Sequence, residues 1–151
     1  MPAVSSFKSL GAVVCYSVEA RIARTVPLMA ALAECGFPSP ADDYLDKPLD
    51  FNELLIANAP ATFVVRIAGD SMTGIGIFAG DLGVVNRAGR VADGTVVLAL
   101  VDGEFTIKNY RKRGGRVWLQ GANPLYRDIE ILEGMSFEVW GVVTHTIRTH
   151  G

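Results

Sequence analysis

The stretch TVVLALVDGEFTIKNY, residues 95–110, carries a strong β-hairpin signal. Two runs rich in Val, Ile, Thr and aromatic residues flank the dipeptide Asp102-Gly103. Residues of these types favour strands, and Asp-Gly fits the positive φ angles of a type I′ turn. The sequence therefore predicts two antiparallel strands joined by a tight turn.

Similar strand-forming runs recur on both sides of this hairpin, from Ala61 to the end of the chain. Turn signals such as Gly80-Asp81 and Gly114-Gly115 separate them. The further runs are ATFVVRIA (61–68), DLGVVNR (81–87), RVWLQ (116–120) and FEVWGVVTHTIR (137–148). No helical pattern lies between them, so βαβ units are not expected. We predict a mainly β, compact domain of mostly antiparallel strands.

The chain ahead of these strands has a different character. DFNELLIANAP, residues 50–60, predicts a short helix that Asp50 caps, with Glu53 three residues later as in a capping box. Residues 1–40 mix short apolar patches with Ser, Pro and Gly, and allow only a weak helix after Pro27. We predict a flexible N-terminal arm over residues 1–40 and a β domain over residues 41–151.

Composition limits the function classes. The 151 residues are half hydrophobic and one-fifth charged, with a formal net charge of -2. This balance argues against a large nucleic-acid footprint, and RKRGGR, residues 111–116, is interpreted as a solvated hairpin turn. Cys15 and Cys35 lack C-x-x-C spacing, so no metal site or cofactor is expected. The apolar run at residues 10–18 is too short for a bilayer, which needs about 20 residues, so we expect a cytoplasmic protein without a membrane anchor.

AGDSMTG, residues 68–74, presents a candidate nucleophile. Ser71 follows a strand end and a Gly-Asp turn, where a side chain is exposed yet held by a rigid scaffold. The motif is neither the G-x-S-x-G elbow nor a phosphate-binding glycine pattern. On its own, such a serine is usually an ordinary turn residue.

A serine nucleophile needs a base, and the histidines are poor candidates. His150 is next to the C-terminus and His145 lies in an alternating strand. Alternation along EFTIKNY puts Thr106 and Lys108 on one face, opposite Phe105 and Ile107. If the face of Lys108 closes over the serine, the ammonium loses solvation and its pKa falls. Spacing alone favours the alternative, an exposed strand lysine, and Lys112 in the charged turn should stay hydrated.

Several motifs together resemble a known family. GDSM, VDGEFTIK and the upstream CGFPSP occur in the order and at the spacing of the UmuD-like self-cleaving subunits of DNA polymerase V. These belong to the LexA-like peptidases, peptidase family S24. The resemblance runs from about Thr25 to Ile147, while the segment before it is longer than the family pattern.

The resemblance implies a LexA-type catalytic domain, a homodimer and a self-cleaving serine endopeptidase. By this resemblance Ser71 is the nucleophile, Lys108 is its general base, and the cut bond is Cys35–Gly36. The resemblance also implies that the RecA–single-stranded DNA filament stimulates cleavage. The shortened product then joins a UmuC-type polymerase for error-prone translesion synthesis in the SOS response.

The resemblance suggests a further contact, between the N-terminal segment and the sliding clamp. The segment TVPLM occupies the expected position, with methionine where an aromatic is usual; its residues are Thr25, Val26, Pro27, Leu28 and Met29. About 35 residues precede the cut and hold no two-helix pattern, so sequence-specific DNA binding is not expected.

Two alternative functions stay open at the level of sequence. In one, the β domain is a non-catalytic binding module for a polymerase or another partner, and Ser71 and Lys108 are inert. In the other, the chain is a general serine hydrolase. Self-cleavage at alkaline pH distinguishes the first from a peptidase, and a small ester substrate tests the second.

Overall fold

The computed structural model describes residues 9–10, 13–17, 24–28, 33, 35–36 and 47–151. The chain divides into two compact units, one formed by Met1–Val18 with Asn58–Gly151 and the other by Glu19–Ala57. The predicted division into an arm of residues 1–40 and a domain of residues 41–151 stays a prediction. The described elements are β1 (Ser9–Leu10), β2 (Val13–Ser17), β3 (Thr25–Val26), β4 (Leu49–Asp50), α1 (Phe51–Leu55), β5 (Thr62–Arg66), β6 (Leu82–Asn86), β7 (Val96–Val101), β8 (Glu104–Arg113), β9 (Arg116–Gln120), β10 (Ile129–Glu130) and β11 (Phe137–Ile147).

The larger unit is built on one extensive sheet. Its described strands run in the order β1-β2-β5-β6-β11-β7-β8-β9-β10, and every neighbouring pair is antiparallel. Each run that the sequence predicted as a strand is present, which confirms the mainly β fold of mostly antiparallel strands.

The hairpin of β7 and β8 forms as predicted. Asp102 and Gly103 adopt φ angles of 47° and 84°, the two positive values that a type I′ turn requires. Val101 pairs with Glu104, and the same register places Val97 opposite Lys108. The turn therefore fixes which residues of β8 face the interior.

The sheet curls so that β5 and β8 meet, although β6, β11 and β7 lie between them in the strand order. Val65 of β5 and Leu98 of β7 share a buried cluster against which Ile107 of β8 packs. Ile107 also packs on a second buried cluster, which contains Ile67 and Met72. This apolar contact brings the end of β5 against one face of β8.

Strand β2 was not expected from the sequence patterns. Its backbone pairs with β5 in the register Cys15↔Val65 and Ser17↔Phe63. The segment was recognised only as a short apolar run, because its pairing partners lie on the edge of β5, far away in sequence. The edge strand β10 was also not expected, since it has only two residues.

The smaller unit contains a short strand pair and one helix. Thr25 pairs with Asp50, and Val26 pairs with Leu49. Asp50 then caps α1, because its carboxylate accepts a hydrogen bond of 2.8 Å from the N–H of Asn52. The predicted short helix is confirmed, whereas most of the weak helix expected after Pro27 lies outside the described residues. In the part of the chain that the structure describes, no helix is long and apolar enough to cross a membrane.

Candidate active site

Ser71 lies just beyond the end of β5. The strand pairing continues to Ile67, whose N–H donates to the carbonyl of Asp81 and whose carbonyl accepts from Gly80, both at 2.8 Å. The chain then turns at Gly69, which has a φ of 81° that glycine adopts readily. Ser71 is half-buried and precedes a short 3-10 turn, Thr73–Ile75. A rigid strand end therefore carries the candidate nucleophile.

Lys108 approaches Ser71 from the facing surface of β8. Its Nζ lies 2.7 Å from Oγ of Ser71, 2.9 Å from Oγ1 of Thr106 and 3.2 Å from the carbonyl oxygen of Ile107. The residue is only 7% exposed. The expectation from spacing alone, an exposed strand lysine, is wrong because the curled sheet lays this face of β8 against the Ser71 turn.

The surroundings of Lys108 suit a neutral amine. Burial lowers the pKa of Lys108 below its usual value, because the charged form loses hydration. Among the described residues, no carboxylate oxygen lies within 4.0 Å of its Nζ. A neutral amine has two N–H donors and one lone pair. The oxygens of Thr106 and Ile107 can accept the two donors, which leaves the lone pair for the hydroxyl of Ser71.

Backbone hydrogen bonds join the loop after β9 to the Ser71 turn. The N–H of Ala122 donates to the carbonyl of Ser71 at 2.8 Å, and the N–H of Gly74 donates to the carbonyl of Ala122 at 2.7 Å. A Cβ at Gly74 would lie 2.3 Å from the carbonyl oxygen of Ala122, so this approach needs glycine. Local sequence patterns did not indicate that this loop belongs to the site.

Two side chains of the same loop form hydrogen bonds with Asp70. Asn123 Nδ2 donates to the carbonyl of Asp70 at 2.9 Å, and the hydroxyl of Tyr126 donates to the Asp70 carboxylate. The Tyr126 ring centroid also lies 5.9 Å from Nζ of Lys108. Asn123-Pro124 begins a turn, in which the N–H of Tyr126 donates to the carbonyl of Asn123 at 3.0 Å.

A groove of about 380 Å³ runs past Ser71 and Lys108. One wall continues from β5 through Gly69, and the other comes from Phe105 to Lys108 on β8. Its apolar lining includes Val65, Ile67, Met72, Ile77, Leu98 and Ile107. The groove therefore places an apolar surface beside the Ser71–Lys108 pair.

The remaining predicted site residues have separate positions. Cys35 is an exposed free cysteine, and a Cβ placed on the exposed Gly36 would meet nothing within 4 Å. Both belong to the smaller unit. Of the predicted clamp segment, residues 25–28 are exposed and Met29 lies outside the described residues. Lys112 is exposed in its hairpin, as expected. No metal-binding cluster of acidic, His and Cys side chains occurs among the described residues.

Comparison with known proteins gives the family. The sequence pattern of the family described as Peptidase S24-like matches residues 27–144. The chain belongs to this family. Among Peptidase S24-like relatives, it is 41% identical to Protein SamA of Salmonella typhimurium over 124 residues, which cover 82% of this chain and 86% of that protein.

Two further relatives extend this comparison. Protein ImpA of Escherichia coli is 42% identical over 124 residues, covering 81% of this chain and 83% of its own length. Protein MucA of Salmonella typhimurium is 32% identical over 130 residues, which cover 83% of this chain and 86% of that protein. Membership of the Peptidase S24-like family confirms the resemblance. It supports a self-cleaving SOS mutagenesis subunit over a non-catalytic binding module.

Proposed function

We propose that the chain cuts its own Cys35–Gly36 bond, with Ser71 as the nucleophile and Lys108 as the general base. The observation that carries the proposal is the 2.7 Å contact between Nζ of Lys108 and Oγ of Ser71, with the lysine buried. A hydroxyl and an adjacent base within hydrogen-bond reach are the signature of an activated serine.

The chemistry follows from this contact. The lone pair of Lys108 takes the hydroxyl proton as Oγ of Ser71 attacks the carbonyl carbon of Cys35. The resulting ammonium returns the proton to the nitrogen of Gly36, which leaves as an amine. Water, deprotonated by Lys108, then hydrolyses the ester on Ser71, so that Cys35 ends as a carboxylate and the hydroxyl is restored.

Backbone N–H groups would stabilise the negative charge that develops on the carbonyl oxygen. Among the described residues, the N–H groups of Ser71 and Met72 have no acceptor. Donors held in this way on a fixed turn stabilise an oxyanion without reorganising as the charge forms. Because Met72 is only 3% exposed, the core anchors this turn.

The segment around the cut bond must enter the groove in an extended form. Small residues at the bond let the backbone approach a crowded site, and Pro38 and Pro40 disfavour a helix beyond it. A strand added along the wall that continues β5 would present the Cys35 carbonyl to Ser71. A stimulating RecA filament would act by raising the population of this docked state.

Membership of the family supports the partners that we propose. The protein acts as a homodimer in the cytoplasm, and its shortened form joins a UmuC-type polymerase for translesion synthesis. The exposed segment at residues 25–28 supports an additional contact with the sliding clamp, of which Met29 would be the last residue. Cleavage would remove residues 1–35 of the predicted arm.

The experiment that tests this function is cleavage of the purified full chain with and without RecA filament on single-stranded DNA. Wild-type protein should be shortened, and faster with the filament. Gly36→Glu should stop cleavage in the groove, yet leave the thermal midpoint unchanged because a Cβ there meets nothing within 4 Å. An uncut wild-type chain under both conditions would favour the binding module instead.

A further inference from the structure

Asp70 stands directly before Ser71 and lines the same groove as Lys108. A carboxylate close to a lysine raises the pKa of that lysine, because an opposite charge within about 4–6 Å favours the ammonium form. An ammonium has no lone pair and cannot accept the proton of Ser71. The described geometry avoids this pairing, since no carboxylate oxygen of the described residues lies within 4.0 Å of Nζ.

Tyr126 lies between the Asp70 carboxylate and Lys108 in its contacts, bonded to the first and close to the second. Its hydroxyl donates to the Asp70 carboxylate, and its ring centroid lies 5.9 Å from Nζ of Lys108. Asn123 fixes the turn that carries Tyr126, because its carbonyl accepts from the Tyr126 N–H at 3.0 Å and its side chain binds the Asp70 carbonyl at 2.9 Å. One tyrosine side chain therefore hydrogen-bonds to the acid and lies beside the candidate base.

The other groups around Lys108 do not explain why the carboxylate stays apart. The ionisable residues that line the groove with it are Arg66 at the end of β5, Asp70 in the turn and Tyr126 in the loop after β9. On β7, Val97 stands opposite Lys108 and adds no charge. Arg66 directs a guanidinium nitrogen toward the carbonyl of Gly80, at 3.4 Å. Among the described lining residues, Asp70 is thus the acid that Lys108 would meet.

We propose that Tyr126 is a positioning residue that holds the Asp70 carboxylate by a hydrogen bond and so prevents it from pairing with Lys108. The inference rests on the proposed function, in which Lys108 is the base. The hydrogen bond to Asp70 also raises the pKa of Tyr126 above its usual value, since losing the proton would set two negative charges side by side. The hydroxyl therefore remains a donor over the alkaline range in which Lys108 loses its proton.

The test is the pH profile of self-cleavage of the full chain without an activator. Tyr126→Phe releases the carboxylate, so the midpoint of the profile should move to higher pH by about one unit, a roughly tenfold slower rate on the rising limb. The rate at the high-pH plateau should stay close to that of the wild type. Adding Asp70→Asn should return the midpoint of Tyr126→Phe to the wild-type position, because the charge that pairs with Lys108 is gone.

The controls separate this role from simple support of the loop. Tyr110→Phe removes a hydroxyl elsewhere on β8 and should leave the profile unchanged. If Tyr126 only supports the loop, Tyr126→Phe lowers the rate equally at every pH and Asp70→Asn restores nothing, which would overturn the proposal. An unshifted midpoint in Tyr126→Phe would overturn it as well.

A measurement without cleavage keeps this inference distinct from the proposed function. The chain has four lysines, so NMR of ¹³C-labelled lysine can follow Lys108 in full-length Ser71→Ala protein. Adding Tyr126→Phe should raise the pKa of Lys108, and adding Asp70→Asn to both should lower it again. No change in the NMR titration would overturn the role of Tyr126. Continued cleavage by Ser71→Ala would instead refute the proposed function.

Discussion

The hydroxyl of Ser71 and the amine of Lys108, 37 positions apart in the chain, lie 2.7 Å from each other across the curled sheet. Their proximity depends on packing that joins β5 to β8 through Val65, Ile67 and Ile107. The close approach of the two side chains therefore requires the long-range closure of the sheet.

Removal of either functional group should abolish self-cleavage and leave the fold intact. Ser71→Ala removes the attacking oxygen, and Lys108→Ala removes the lone pair next to it. Because the two residues act as a unit, the double variant should be no slower than either single one. Lys112→Ala is the matched control, since that side chain is exposed, and should cleave at nearly the wild-type rate. Gel analysis with circular dichroism checks both points, and wild-type cleavage by Lys108→Ala would refute the assignment.

Cleavage without an activator should accelerate as pH rises. Burial lowers the pKa of Lys108, so the fraction of neutral amine grows with pH and reaches its midpoint below about 10.4, the pKa of an ordinary lysine. With the filament, the docked segment should desolvate Lys108 further and flatten the profile near neutrality. Rates measured from pH 7 to about 10 test this. A profile without any slope in the absence of activator would contradict it.

Loss of the Asp81–Arg148 ion pair should destabilise the larger unit. Arg148 donates to both carboxylate oxygens of Asp81, at 2.8 and 2.7 Å, and Asp81 is only 2% exposed. Arg148→Leu would leave a buried charge unpaired, so we expect a loss of about 2–4 kcal/mol in the free energy of unfolding. Arg127→Leu is the exposed control and should change stability by less than about 0.5 kcal/mol. Urea titration measures both, and equal stability of the two variants would contradict the account.

The same ion pair should also make the free energy of unfolding depend on pH in acid. The hydrogen bonds from Arg148 lower the pKa of Asp81 from 3.8 to about 2, against burial, which raises it. A lowered pKa in the folded state means that this stabilisation is complete above about pH 4 and is lost as pH falls toward 2. Asp81→Asn should lack this part of the pH dependence.

A chain that starts at Gly36 should still fold into a β-rich homodimer. The buried hydrophobic side chains of the described core come from residues 65–119, so the core does not need residues 1–35. Removing β2 exposes one edge of β5 but takes away no described core residue. Circular dichroism and sedimentation at micromolar concentration test this, with the full chain as control. An unfolded or strictly monomeric product would contradict it.

Local signals predicted most of the fold, because its strands and turns are encoded locally. Asp102-Gly103 specifies its turn through its own φ angles, and Asp50 caps α1 through a neighbour two residues away. The burial of Lys108 could not be read from alternation, which distinguishes two faces but does not say which one another segment covers. Tyr126 and Asp70 are 56 positions apart, and β2 depends on an edge supplied by β5. Such contacts exist only after the sheet has closed.

The most direct measurement is the intact mass of the cleavage product formed by the purified full chain. We expect a single new end at Gly36, so that the product begins Gly36-Phe37-Pro38, and no product from Ser71→Ala under the same conditions. Contaminating proteases acting on a flexible segment would select no single bond. A ragged set of ends, or one end elsewhere that persists in Ser71→Ala, would contradict self-cleavage by Ser71 at Cys35–Gly36.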